Sequence, residues 1–438
     1  VTSPVCSPSR ASLLTGRYQV RSGVYPGVFM PENIYGLPSN ETTIAELLKT
    51  QNYKTLITGK WHLGVGKDGQ YLPWFQGFDD YLGVPYSLDM CPCLTCFPDD
   101  LPCYDTCRPS LVSCPLYSNT SISQQPADFP TLTQKLVDRA KIFMSDSVQQ
   151  DKPFFLYFPF HQVHHPQFSS RVHYNTTLRG RFGDSLAELD DAIQQLVDNL
   201  DELSVREDTL IWFLSDNGPS LARHERGGCA GPLRCGKGTT YEGGVRVPSF
   251  IVWPGRIPQG RSNTLLSSLD VLPTLASLAG ATFTNLTLDG LDFSRALMGE
   301  DTQTESPREF YAIYPSDPSV ERGPHAVVWK NYKAHFFTQG AGTSDDLNYD
   351  FNCTTLHTLT EHSPPLLFDI SVDPGERWDL SDDPQYSDVI ETIAAWRSHH
   401  METMTWLEPL TADVDTRSQP CCTQSDCNPF PKCCDCPA

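Results

Sequence analysis

A short stretch near the start of the chain gathers residue types that could do chemistry: Cys6-Ser7-Pro8-Ser9-Arg10-Ala11-Ser12-Leu13-Leu14-Thr15-Gly16-Arg17. Cys6 carries a thiol. Arg10 is a permanent cation whose planar fork suits an oxyanion. The run from Ser9 to Leu14 is compatible with a helix opening near Ser9, whose first N–H groups would face an anion. The plain alternative is a buried or disulfide-bonded cysteine beside a Ser/Pro turn.

Further candidates follow along the chain. Lys60 and His62 sit two apart just after an apolar run and point the same way if extended. Lys60 could bind an anion and His62 could move a proton near neutral pH; an ordinary strand-end lysine and a satisfied histidine are the competing reading. His161, His164 and His165 suggest zinc by count. Pro166 and the lack of an H-E-x-x-H pattern argue against that site, so one histidine is expected to face a ligand while the others pack. Asp216-Asn217 offers adjacent oxygen donors of the kind calcium or magnesium prefers, although Asp-Asn-Gly is also good turn chemistry. Gly231-x-x-x-x-Gly236-Lys237 misses a phosphate-binding P-loop, because position 238 is glycine and no strand leads in. Gly236-Lys237-Gly238 still presents a cation on an accessible loop.

These residues need elements to hold them. Asn40–Thr50 reads as a helix capped by Asn40 or Thr42. Tyr53–Thr58 reads as a buried strand leading to Lys60. Leu132, Leu136, Ala140 and Phe143 recur at helical spacing, and Phe154–Phe160 is a strand ending at the histidines. Leu186 to Leu200 marks an amphipathic helix with Asp184 as its cap. Leu210–Leu214 is a strand ending at Asp216. Val247–Trp253 is a strand and Leu269–Ala279 a helix interrupted by Pro273. Strands alternating with helices imply a mostly parallel sheet covered on both faces. Ligands bind at the C-terminal ends of such strands, where the candidates fall, so one composite active site is expected. Beyond about residue 320, Val327–Phe337 and Pro365–Ile370 read as strands of a smaller sheet, with a late helix through Val389, Ile393 and Trp396.

Composition narrows the setting. The 438 residues carry a formal charge of −21, so no basic field exists to attract nucleic acid. Sixteen cysteines and five Asn-x-Ser/Thr sites, at Asn40, Asn119, Asn175, Asn285 and Asn352, point to an oxidising secretory compartment. No run approaches the roughly 20 apolar residues of a transmembrane segment. No signal peptide is visible, and the chain starts at Val1 almost on the Cys6 stretch, so an upstream segment is expected.

The Cys6–Arg17 stretch resembles the sulfatase signature C-x-P-S-R-x-x-x-L-T-G-R. The resemblance to arylsulfatases continues through Gly59–Gly66, Val84–Ser87, Asp216–Pro219, Leu233–Gly244 and Lys333–Gly340 to the Cys-rich tail, over essentially the whole chain. It implies an alkaline-phosphatase-like α/β fold, with a catalytic domain over residues 1–320 and a small antiparallel-sheet C-terminal domain over 321–438. It implies a lysosomal homodimer that hydrolyses sulfate esters, either aryl sulfates or sulfated glycolipids of the cerebroside 3-sulfate type. Cys6 would be oxidised by the formylglycine-generating enzyme. The hydrated aldehyde would attack sulfur, and its second hydroxyl would later expel sulfate. Arg10 would steady the hydrate, Lys60 and Lys237 would hold sulfate oxygens, and His62 would take the proton. His164 would contact substrate, with Ser87 in support. Asp216 and Asn217 would bind one Ca2+, or Mg2+. Cys235 would pair with Cys353.

Three departures accompany the resemblance. The family's metal site also uses an Asp-Asp pair on a first strand before the signature, and no such pair precedes Cys6; Asp79-Asp80 belong to a different loop. The arylsulfatase sequon in the first cysteine cluster is absent, and Cys91 and Cys114 look extra. A histidine expected near the site is Thr343. The first departure sustains an alternative, a catalytically dead fragment or pseudoenzyme. A phosphohydrolase of the same fold would need Ser or Thr where Cys6 stands.

Overall fold

The computed structural model describes residues 1–90, 114–283, 286–300, 307–339, 353 and 358–420. Cys91–Cys107, the tail from Cys421, Thr343 and the sites at Asn285 and Asn352 lie outside the described residues. The chain forms two compact units whose segments are far apart in sequence. One comprises Val1–Val28, Ile211–Leu275 and Leu286–Pro409; the other comprises Phe29–Leu210, Ala276–Asn285 and Leu410–Ala438.

The second of these units is built on a five-stranded sheet. Its strands are β1 (Lys54–Thr58), β2 (Asp80–Gly83), β3 (Leu116–Ser118), β4 (Ser121–Gln124) and β5 (Phe154–Tyr157), in the order β4-β3-β2-β1-β5. β1 pairs parallel with β2 and β5, so the centre is parallel as the alternation predicts. β3 and β4 add an antiparallel edge, making the sheet mixed. The Phe129–Gln149 helix packs on β1, β2 and β5. Its Phe129, Leu132 and Leu136 meet Val84, Leu116 and Phe168 in a buried core. The Ile44–Lys49 helix is shorter than the expected 40–50 span. Its cap is Thr43, whose hydroxyl accepts from Glu46 N–H in a capping box, rather than Asn40 or Thr42. The Gly180–Glu202 helix starts before Asp184, which lies inside it. The Asp184 carboxylate instead accepts from the N–H groups of Asn175, Thr176 and Thr177 and ties down the preceding loop.

The other unit opens with the Cys6–Thr15 helix, which is buried on nearly all sides. It begins at Cys6, three residues earlier than the helix expected near Ser9, because Pro8 in a first turn loses no hydrogen bond. It ends at Gly16, whose φ of 66° is one that a side chain would strain. Strands β6 (Ile211–Leu214) and β7 (Ser249–Val252) pair antiparallel. The Val271–Leu278 helix accommodates Pro273 in its first turn. A four-stranded antiparallel sheet follows, with β8 (Phe310–Ile313), β9 (Ala326–Trp329), β10 (Tyr332–Thr338) and β11 (Thr360–Asp369) in the order β11-β10-β9-β8. The single strand expected over 327–337 is two, folded back where Lys330 takes a φ of 54°. The Ser387–Thr403 helix packs on β9, β10 and β11 through Ile393 and Trp396. No described helix is long and apolar enough to cross a membrane.

Candidate active site

Within the unit that opens the chain lie five predicted residues: Cys6, Arg10, Asp216, Asn217 and Lys237. Cys6 is the first residue of its helix, a free thiol only 2% exposed. Helix N–H groups with no partner inside the helix lie beside it, and they favour negative charge there. The Lys237 ammonium donates to Cys6 Sγ at 3.3 Å. Arg10, one turn further along, sends Nε and Nη2 to Asp216 Oδ2 at 3.1 and 2.8 Å. Asp216 and Asn217 follow β6 directly, as expected for ligands at a strand's C-terminal end. Asn217 donates its amide N–H to the Gly218 carbonyl, while its Oδ1 is buried with no hydrogen-bond partner. A buried, unsatisfied amide oxygen beside a carboxylate is the donor chemistry of a hard cation, so these two residues fit calcium or magnesium.

The loop carrying Lys237 is held by close backbone contact and by buried charge. A Cβ on Gly243 would sit 2.0 Å from the Cys235 carbonyl oxygen, so only glycine lets the turns approach. The disulfide Cys235–Cys353 pins the loop, and Tyr241 packs against it. The Gly243 and Lys237 N–H groups bond the carbonyls of Arg234 and Pro219. Beneath lies a buried network that the sequence did not reveal. Lys333 Nζ lies 3.0 Å from Glu242 Oε1 and 3.2 Å from Glu376 Oε1. His335 Nε2 donates to Glu376 Oε1 at 2.6 Å, and the Glu242 N–H donates to Glu376 Oε2 at 2.6 Å. Burial pushes the Glu376 carboxyl up, but Lys333 and His335 outweigh it and hold the group at about 2. Burial pushes His335 below its ordinary range.

The other unit groups a second set of residues. Lys60, 2% exposed, donates to the Ser87 hydroxyl at 3.2 Å. Its backbone N–H bonds the Pro159 carbonyl, and Trp61 and His62 N–H groups bond Val84 and Pro85. His62 takes a φ of 60°, so the extended backbone assumed for the Lys60–His62 pair is not present. The His62 Nε2 contacts the Phe29 carbonyl at 3.0 Å. The His164 Nδ1 contacts the His165 carbonyl at 2.5 Å, and the two rings stack with centroids 4.8 Å apart. His161 is buried, and the group gathered around His164 and His165 is completed by Asp89 instead. Burial pushes the Asp89 carboxyl up, but His164, the Ser87 hydroxyl, His165 and Lys60 outweigh it and hold it at about 2. Asp89 was missed in the sequence; its place two residues after Ser87 was the available signal.

Comparison with known proteins agrees with this chemistry. The Sulfatase family model matches residues 1–281, and one for the C-terminal region of aryl-sulfatase matches 306–436. The chain is 46% identical to the arylsulfatase A of Homo sapiens and to that of Bos taurus, over 99% of its own length and 86% of theirs. The solved structure of a sulfatase from Pseudoalteromonas sp. superposes with a TM-score of 0.77 at 25% identity, covering 94% of this chain and 82% of that one. The fold is therefore the alkaline-phosphatase-like α/β fold of those structures, with a smaller C-terminal sheet. The chain belongs to the sulfatase family and is an arylsulfatase, a hydrolase of sulfuric esters.

Proposed function

We propose that this arylsulfatase works through formylglycine made from Cys6 by a formylglycine-generating enzyme, in a lysosomal glycoprotein homodimer acting on sulfated glycolipids of the cerebroside 3-sulfate type. The observation that carries the reading is the thiol at a helix N-terminus with Lys237 Nζ at 3.3 Å. When formed, formylglycine supplies an oxygen nucleophile and a carbonyl whose return releases the product.

The rest of the chemistry falls to ordinary side chains. Lys237 and Lys60 hold the sulfate oxygens and offset charge that builds on them. Arg10, fixed by Asp216, orients the side chain at position 6. His62 exchanges its proton at Nδ1, because Nε2 is occupied by the Phe29 carbonyl. His164 meets the substrate or leaving group through Nε2, and Ser87 keeps Lys60 in place. Asp216 and Asn217 would hold the divalent cation, which supplies Lewis-acid polarisation of an oxygen when bound. They provide two of the roughly six to eight oxygens calcium takes, so further ligands are needed. The glycolipid assignment is supported by the likeness to arylsulfatase A.

The test is mass spectrometry of the Cys6 peptide from protein made in a competent secretory host. Conversion of the thiol to the aldehyde, together with hydrolysis of an aryl sulfate, is the expected result. An unmodified thiol in soluble, folded protein overturns the formylglycine reading. A converted residue without hydrolysis favours a dead member of the family.

A further inference from the structure

The sequence pattern around the histidine run argues against zinc, but the fold brings His164 and His165 a carboxylate. One ligand atom each from Asp89, His164 and His165 lie within 4.8 Å of one another. We propose that these three side chains form a binding site for a nitrogen-seeking transition-metal cation of the zinc class, and that its occupation blocks hydrolysis. The inhibitory half rests on the substrate-contact role proposed for His164; the binding half does not.

Three observations support the site. First, the His164 Nδ1 is taken by the His165 carbonyl at 2.5 Å. A backbone carbonyl on one ring nitrogen is the usual way a ligating histidine is oriented. Second, His165 Nε2 lies 3.5 Å from Asp89 Oδ2, close to the separation of two ligands on one zinc. With zinc–ligand distances near 2.1 Å, tetrahedral ligand atoms lie about 3.4 Å apart, so a pair as wide as 4.8 Å must close by about 1.4 Å. Third, the stacked rings, 25° from parallel, fix the histidines side by side. The side chains of His165 and Asp89 are 10% and 24% exposed, so an ion could enter and would then be largely shielded from water.

The donor set selects the ion. Two imidazoles and one carboxylate resemble the three-ligand zinc sites that keep a position open. Lys60 acts on Asp89 and opposes a dication, so binding must come from the nitrogens rather than from net charge. Calcium, which wants oxygen, is therefore excluded, whereas copper, zinc, nickel and cobalt are admitted in their usual order of affinity.

The test uses the intact protein, freed of transition metals and kept in saturating calcium. Co2+ is titrated and followed by visible ligand-field absorption, then displaced with Zn2+. Wild-type protein should bind one Co2+ with nitrogen-ligated bands, and Zn2+ should abolish them. His165→Phe, which keeps the ring stack, and Asp89→Asn should each weaken binding at least tenfold. Unchanged binding in both variants, or no nitrogen-ligated band in wild type, overturns the site. If hydrolysis of an aryl sulfate is measured alongside, Zn2+ should inhibit wild type and spare His165→Phe. Binding without inhibition overturns the inhibitory role and counts against His164 as a substrate contact. A protein inactive for lack of formylglycine leaves the cobalt result decisive.

Discussion

Replacing Lys333 by methionine should destabilise the unit that holds Cys6 more than any surface change. Lys333 is fully buried between Glu242 and Glu376, at 3.0 and 3.2 Å. Methionine fills similar space but leaves two buried carboxylates without their cation. Removing one member of a buried ion pair costs about 3–5 kcal/mol. The same contact, with His335 and the Glu242 N–H, holds the Glu376 carboxyl at about 2 instead of 4.5. At 1.36 kcal/mol per unit that is about 3 kcal/mol of stability at neutral pH, in the same range.

The sign follows from linkage. Glu376 has a folded pKa below its unfolded value, so its contribution is full above about 4.5 and disappears as pH falls toward 2. Burial lowers the folded pKa of His335, so acid favours the unfolded chain as pH drops below 6.5. Urea denaturation followed by far-UV circular dichroism, at several pH values, measures both effects. Lys333→Met should lose about 3–5 kcal/mol at neutral pH. Glu376→Gln should also be destabilised there, and its stability should fall less steeply between pH 5 and 3. A loss under about 1 kcal/mol in Lys333→Met, or parallel pH curves for wild type and Glu376→Gln, would refute the claim that this network holds the loop.

Other consequences are open to measurement. Lys237→Met should lower kcat for an aryl sulfate about 10²–10³-fold, as expected when one donor to developing charge is removed, with the melting temperature little changed. Calcium should raise the melting temperature of wild type, a gain of about 2.7 kcal/mol at a hundred times Kd, and Asn217→Leu should abolish that rise. Cys353→Ser opens the link to Cys235 across 118 residues and should cost about 2–5 kcal/mol; denaturation under non-reducing conditions gives the value.

The candidate residues that sit in contiguous motifs were legible in the sequence, and those whose contacts span the chain were not. The signature, the Asp216-Asn217 corner and the Lys60 corner announce themselves because each motif is contiguous and ends a strand. Helix starts were misplaced where capping depended on backbone angles: Thr43, not Asn40 or Thr42, closes the capping box, and Asp184 serves a loop instead of a helix end. The reversal at Lys330 was hidden because a left-handed residue other than glycine or asparagine leaves no compositional mark. No sequence pattern singles out Glu376, because its role depends on meeting Glu242 across 134 residues and Lys333 on β10. Asp89 reaches His165 only once β2 and β5 are set on either side of β1.

The burial of Cys6 sets an order of events for biosynthesis. Its side chain is enclosed by a helix start and by Lys237, a residue made 231 positions later. An enzyme that altered the thiol would therefore have to reach it before this part of the chain folds. Once the loop carrying Lys237 has packed against the helix start, a thiol left unmodified would be out of reach without unfolding.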